Sequence, residues 1–264
     1  MIPTWAIQTN AVSRLQADAV ASAVTSQGGK VIEVEVLPST NTIIALHGAE
    51  LNTKDIIPYG STKLVELAIE KEWTGVFRNS NFSVPIWKEQ REDMLNGDSV
   101  SILAEKLPAF TIGLPDDTVL FIRPTIGKKL FPGQTATVTD ILSWLRVGQV
   151  GKYPFLPDTE IALATNKVII AETRWFVVNG KVISGSTYRL HDQRVLIPEN
   201  NENNLIEAQQ FANIWLPHST CVMDLALTDE GIKVIEFNTF NSSGFYHHDI
   251  PKIVNAVHEM IRAS

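Results

Sequence analysis

The segment VMDLALTDEGIKVIEFN, residues 222–238, sets two acids and an amide among apolar, β-branched residues. Its flanks read as strands, and Asp229-Glu230-Gly231 reads as the turn, with Gly231 at the left-handed position of a three-residue hairpin loop. That loop pairs Thr228 with Ile232, Ala226 with Val234, Asp224 with Glu236 and Val222 with Asn238. Side chains alternate along a strand, so Asp224, Glu236 and Asn238 share one face. Carboxylates directly opposed across a ladder repel, and the pattern calls for something that neutralises them. All three residues are hard oxygen donors, and Mg2+ is typically held by one or two carboxylates together with nucleotide phosphates. The plainer alternative gives Asp224 a lysine partner and leaves Glu236 facing water at a sheet edge. A glycosidase dyad would leave Asn238 and the nearby arginines unexplained.

Arginines come from the segment KVIIAETRWFVVNGKVISGSTYRL, 167–190. Asn179-Gly180 is a favoured two-residue hairpin turn, and it pairs Val178 with Lys181, Phe176 with Ile183, and Arg174 with Gly185. Glu172 and Arg174 then share a face with Thr187 and Arg189, and Trp175 and Val177 take the other. Two arginines on one face of so apolar a hairpin ask for an anionic partner. An Arg–Glu pair on a solvated face is the ordinary explanation. In FIRPTIGKKLFPGQ, 121–134, a strand runs into Arg123 and a loop follows with Gly127, Lys128, Lys129 and Gly133. Glycines let backbone N–H groups approach a phosphate, and the cations offset its charge. The segment is not a GxxxxGK[ST] loop, and an ordinary basic turn has the same composition. His247-His248-Asp249 reads as a helix cap by Asp249 before Pro251 rather than as a metal cluster.

The elements that must position these residues alternate in the first part of the chain. Helices are expected over 13–28, over 61–73 with Ser61 as cap, and within 83–97 ending near Asn96-Gly97. Strands are expected over 31–37 and 42–48, so this part reads as a small α/β domain. The second part adds a strand over 119–124, a helix over 137–149, a short strand over 161–165, the two hairpins, a helix over 201–217 and a closing helix over 249–264. Residues 191–204, HDQRVLIPENNENN, read as a polar loop that shapes specificity. A net charge of −7 disfavours a bulk nucleic-acid binder. The single Cys221, read as a small buried residue, excludes an intrachain disulfide and suits a reducing compartment. With no 18-residue apolar run and no signal-like N-terminus, the expected setting is the cytoplasm without a membrane span.

Three pieces thus stand in order: FIRP with its Gly-flanked basic loop, ETRWFVVNGKVISGSTYR, and Asp-x11-Glu-x-Asn in the last hairpin. Together they resemble the ATP-grasp superfamily, and the second resembles especially its bacterial and phage clade with conserved Arg and Lys residues. The resemblance covers about residues 119–246, and IIPYGS at 56–61 looks like the small domain that precedes such modules. It implies an α/β (α+β) ATP-grasp fold with two α+β subdomains over 116–264, after a small N-terminal α/β domain over 1–115. ATP would lie between the subdomains with Mg2+ on its phosphates. Asp224, Glu236 and Asn238 fall on the family's metal positions, Arg123 on its phosphate-contacting cation, and Lys128 and Lys129 on the closing loop. Ile161, Ala162 and Leu163 fall on the strand that meets adenine, with Glu160 beside it. Arg174 and Arg189 fit clamps on the γ-phosphate or a substrate carboxylate, and Asn241, Ser242 and Ser243 would border the acceptor pocket. Many relatives carry Arg where this chain has Val222, and Lys at position 123. The implied activity is carboxylate–amine ligation through an acyl phosphate, on small-molecule or peptide substrates. A kinase-like phosphotransferase and a non-catalytic nucleotide-binding interaction protein are the alternatives.

Overall fold

The structure is a computed structural model that describes residues 4–37, 39–125, 130–191 and 193–263. The first strands and helices are β1 (Thr4–Gln8), α1 (Arg14–Ser26), β2 (Lys30–Leu37), β3 (Thr42–Ala45), β4 (Ile56–Tyr59) and α2 (Thr62–Glu70). Next come α3 (Val84–Gln90), β5 (Val100–Leu103), α4 (Leu107–Phe110), β6 (Val119–Pro124), β7 (Gln134–Thr137) and α5 (Val138–Val147). The short β8 (Gln149–Val150) and β9 (Tyr153–Pro154) lead to β10 (Glu160–Thr165), then to β11 (Ala171–Val178), β12 (Lys181–Leu190) and β13 (Gln193–Glu199). The chain ends with α6 (Glu202–Ile214), β14 (Cys221–Thr228), β15 (Gly231–Asn238) and α7 (Ile250–Ala263).

Two compact units form, and neither is one continuous stretch of chain. The first comprises Met1–Asn79, Ala171–Leu225 and Phe237–Ser264; the second comprises Ser80–Ile170 and Ala226–Glu236. In the first unit a sheet runs β3-β2-β1-β4, with β1 parallel to both β2 and β4. Helices cover both faces, as parallel strands require. Trp5 and Ile7 pack towards α1 and α7, and Ala6 packs on the other side with Leu64, Leu67 and Ala68 of α2. Ser61 caps α2 as its sequence position predicts, accepting from the Leu64 N–H at 3.2 Å.

The five-stranded sheet has the order β13-β12-β11-β14-β15. Asn179 and Gly180 both sit at positive φ, 50° and 76°, as a type I′ turn demands. The predicted register holds at Val178–Lys181 and then slips: Phe176 meets Ser184 and Arg174 meets Ser186. The irregularity between Phe176 and Val177 accounts for this slip, and a second, between Glu172 and Thr173, shifts the register again and sets Glu172 opposite Arg189. A Cβ on Gly185 would lie 2.4 Å from the Trp175 ring, so only glycine lets the indole lie across this strand. The stretch after the hairpin is not a loop, since β13 pairs with β12 over Gln193–Glu199.

The second unit holds an antiparallel sheet of order β5-β10-β6-β7, and its core gathers Ile122, Phe131, Ile141, Phe155, Ile161 and Leu163. Thr137 and Asp140 form a reciprocal capping box on α5, and Gly148 closes that helix at φ 78°. Helix α3 stops at Gln90 rather than running on to Asn96: Arg91 turns extended and forks onto Asp93 at 2.7 and 2.5 Å. Among the described residues no helix is long and apolar enough to cross a membrane.

Candidate active site

Asp224 lies on β14 with 1% of its side chain exposed, and Arg174 of β11 meets it with a two-pronged bond. Nε donates to Oδ1 at 2.9 Å and Nη2 to Oδ2 at 2.7 Å. Asn238 of β15 donates its Nδ2 to the same Oδ2 at 3.2 Å. The guanidinium carbon lies 4.6 Å from the Tyr246 ring centre and 5.7 Å from that of Tyr188, so two electron-rich faces border the cation. Burial alone would lower the Arg174 pKa, but the charge and hydrogen bonds of Asp224 outweigh it and hold the pKa above its ordinary value. Burial first, then the charges of Asp224 and Glu172, push the Tyr188 phenol far up, which keeps it neutral. Beside this pair Arg189 donates to the buried Glu172 at 2.8 Å. Beneath it, Phe176 stacks on Phe245 with ring centres 4.7 Å apart.

The second unit carries its own cluster. Arg123, near the end of β6, reaches Glu236 of β15 at 2.8 Å and lies 5.6 Å from the centre of the Trp87 ring. Arg123 and Trp87 border a shallow cleft whose apolar walls also include Phe121, Ala162 and Ile235. Lys88, Asn96, Ser99 and Arg123 supply its polar points; Lys88 Nζ donates to the Ser99 carbonyl, and Ser99 Oγ is buried without a partner among the described residues. Strand β10 is central, paired with β5 and β6, so the backbone of Glu160–Leu163 is hydrogen-bonded on both edges. Of these four residues Ala162 lines the cleft, Ile161 and Leu163 face the core, and Glu160 is exposed.

The structure therefore brings the expected residues together in one group of three and two pairs. Arg174 and Asn238 both donate to Asp224, Arg189 joins Glu172, and Arg123 joins Glu236. Among the described residues, the like charges anticipated for the last hairpin are each met by an arginine. Lys128 and Lys129 lie outside the described residues. Among the described residues no group of three or more His, Cys, Asp or Glu side chains gathers as a metal site. His248 is buried against the Phe245 and Arg174 carbonyls, and Asp249 accepts from the Lys252 N–H at 3.0 Å, so this run caps α7. Asn241 spends its amide on the fold, donating to the Pro58 and Gly75 carbonyls at 2.8 and 2.9 Å and accepting from Phe77 N–H at 2.8 Å. Trp87, Lys88, Tyr188 and Tyr246 have no spacing signal in the sequence, because tertiary packing alone brings each to its arginine or cleft.

An arginine-bordered cleft and a hairpin bearing Asp, Glu and Asn, on this order of sheets, define an ATP-grasp fold. The RimK domain ATP-grasp protein from Sphaerobacter thermophilus DSM 20745 superposes with a TM-score of 0.62 at 10% identity, over 98% of this chain and 99% of that one. D-cycloserine synthetase DcsG gives 0.56 at 12% identity, over 97% and 99%. The ATP-grasp ligase PsnB complexed with minimal precursor, Mg and ADP gives 0.53 at 10% identity, over 97% and 96%. At such identities the likeness defines the fold. No curated protein matches the chain. The family model of the ATP-grasp domain, family 3 of the arginine-and-lysine (R-two-K) clade, matches residues 93–257. That is more than half of the sequence, and the protein belongs to that family.

Proposed function

We propose that this protein is an ATP- and Mg2+-dependent carboxylate–amine ligase that works through an acyl phosphate. The observation that carries the reading is the pairing of each hairpin acid with an arginine, within the stretch that matches the family. A site that stores cations beside oxygen ligands suits a reaction whose whole difficulty is anionic charge. A carboxylate oxygen attacks the γ-phosphorus and the bond to the β,γ-bridging oxygen breaks, giving ADP and an acyl phosphate. An amine nitrogen then attacks the acyl carbon, phosphate leaves, and the amine gives up a proton. Such chemistry rests on positioning and charge stabilisation rather than on a nucleophilic side chain.

Asp224, Glu236 and Asn238 fit Mg2+ by donor chemistry, two carboxylates and an amide on adjacent strands. Each ionised carboxylate has about four acceptor sites, so an arginine bond does not exhaust it. The ion, when bound, would neutralise phosphate charge. Arg123 is assigned to the phosphates together with Lys128 and Lys129. The base is assigned to the cleft at Phe121, Ala162 and Ile235, on the strand that Glu160, Ile161 and Leu163 hold in place. Arg174 and Arg189 are assigned to the γ-phosphate or the substrate carboxylate, where a guanidinium fork recognises paired oxygens.

The test is incubation of the protein with ATP, Mg2+ and a pool of amino acids and short peptides, with phosphate release and product masses recorded. A product lighter by one water than its two substrates, with stoichiometric ADP and phosphate, is expected. ADP with a phosphorylated hydroxyl product would replace the ligase by a kinase. Nucleotide binding without turnover would replace it by a binding protein.

A further inference from the structure

A row of charged side chains crosses three neighbouring strands of the five-stranded sheet. Glu172 on β11 stands in register with Arg189 on β12, and Arg189 stands in register with Arg194 on β13. Directly opposed residues of a ladder share a face, so the row reads acid, base, base. Arg174 lies two residues from Glu172 on the same strand, and its bond to Asp224 places that acid on this face as well. Glu172 neutralises Arg189. Arg194 is exposed, and among the described residues it has no carboxylate partner. Opposed like charges destabilise a ladder, and the chain as a whole is acidic at −7. Among the described residues the surplus positive charge is therefore local to this edge.

Strands in a sheet lie about 4.8 Å apart, so β12 is roughly 10 Å and β13 roughly 14 Å from the strand of Asp224. A single small dicarboxylate is too short to join the two places. An extended peptide, rising about 3.4 Å per residue, covers that gap in three or four residues. β13 is also the outermost strand, and beside Arg194 it exposes Leu196 and Ile197, each 46% accessible. That combination offers a peptide apolar contact next to a cation.

We infer that the outer edge of the sheet at β13, through Arg194, binds an acidic side chain of a peptide substrate three or four residues from the carboxylate activated near Asp224. The inference rests on the ligase reading for the second carboxylate, and it makes the substrate an acidic peptide rather than a free amino acid. Arg194 is the specificity-determining residue.

The experiment measures binding by fluorescence anisotropy, using labelled hexapeptides that carry either Glu or Gln three residues before the C-terminal carboxylate, with Mg2+ and ADP present. The Glu peptide is expected to bind about tenfold more tightly, the scale of one charge-assisted hydrogen bond, and the gap should narrow with salt. Arg194→Ala should remove most of that preference and leave the Gln peptide unaffected. Arg194→Glu should favour a Lys-bearing peptide. Arg194 is exposed, so an unchanged melting curve is expected for both variants. Equal binding of the Glu and Gln peptides by wild type, retention of the preference in Arg194→Ala, or displacement of the peptide by equimolar glutarate would overturn the inference. Affinity for ADP with Mg2+ is measured separately: its absence in wild type counts against the ligase reading, and the peptide comparison still decides the edge.

Discussion

The two acids of the last hairpin each hold an arginine, yet the two pairs belong to different physical regimes. Asp224 and Arg174 are 1% and 8% exposed, joined at two points and bordered by two tyrosines. Glu236 and Arg123 are 21% and 19% exposed, meeting at 2.8 Å with Trp87 alongside. Removing charges from water costs several kcal/mol per ion, so each member of the buried pair depends on the other for its place in the fold. The half-exposed pair keeps part of its hydration and can exchange partners at small cost. One hairpin thus carries a buried acid that is structural whatever else it does, and a second acid that is partly exposed.

The widest separation between the two regimes should come from Asp224→Ala. It strands the Arg174 charge in a buried place, and the expected loss is about 3–5 kcal/mol of unfolding free energy, read from urea denaturation. The double variant Arg174→Met with Asp224→Leu should recover most of that loss, because an apolar pair of similar volume needs no solvation. A loss below about 1 kcal/mol in the single variant would put both pairs in the same class. Loss of turnover in an Asp224 variant is accordingly poor evidence for metal binding, since the fold changes with it.

A second buried polar group tests the same logic with pH. His258 is fully buried; its Nε2 accepts the Trp5 indole N–H at 3.0 Å, and its Nδ1 has no partner among the described residues. Protonation would set N–H against N–H. Burial first, then the charge of Arg262, holds its pKa below the ordinary 6.5. The folded state therefore binds fewer protons than the unfolded one once pH falls through that value. Stability should be fully present above about pH 6.5 and decline below it, by up to about 1.4 kcal/mol per pH unit for one proton. His258→Gln, measured beside wild type at about pH 7.5, 6.5 and 5.5, should show the shallower decline. Parallel curves would mean that His258 titrates as it does in the unfolded chain.

Local signals make much of this legible. Ser61 before α2, Asn179-Gly180 between β11 and β12, and the alternation of Asp224, Glu236 and Asn238 are effects of near neighbours, and the sequence displays them. The tie between Arg174 and Asp224 spans 50 positions. Sequence spacing shows hairpin arginines in need of an anion, but not that the anion is an acid of this chain. One irregularity, between Phe176 and Val177, moves the register by one residue and sets Arg174 opposite Ser186, a shift that strict pairing from the turn cannot foresee. β13 resembles a loop in sequence because QRVLIPE has a proline and no clean alternation, and an edge strand tolerates both. Trp87 and Lys88 sit on a helix that reads like any other, and only the packing of β6 against it makes them cleft residues.

Glu236→Gln should give the opposite balance to Asp224→Ala. Stability is expected to change by no more than about 1 kcal/mol, the range of exposed pairs. Mg2+-dependent ATP turnover should fall on the order of a hundredfold, the scale of removing one charge-stabilising group from a transition state. Normal turnover in this variant would remove Glu236 from the proposed metal set. A large loss of stability would show that both hairpin acids are structural, and would break the comparison from its other side.

The smallest expected effect comes from Arg123→Lys. Lysine keeps a positive charge within reach of Glu236 but loses the flat guanidinium face that lies against Trp87. At a half-exposed site that contact is worth about 0.5–1 kcal/mol. Combined with Glu236→Gln in a double-mutant cycle, the coupling should stay below about 1 kcal/mol. The corresponding cycle of Arg174 with Asp224 should give about 3 kcal/mol, near the upper end of measured couplings. Equal couplings in the two cycles would mean that neither burial nor the second hydrogen bond of Arg174 to Asp224 separates the pairs.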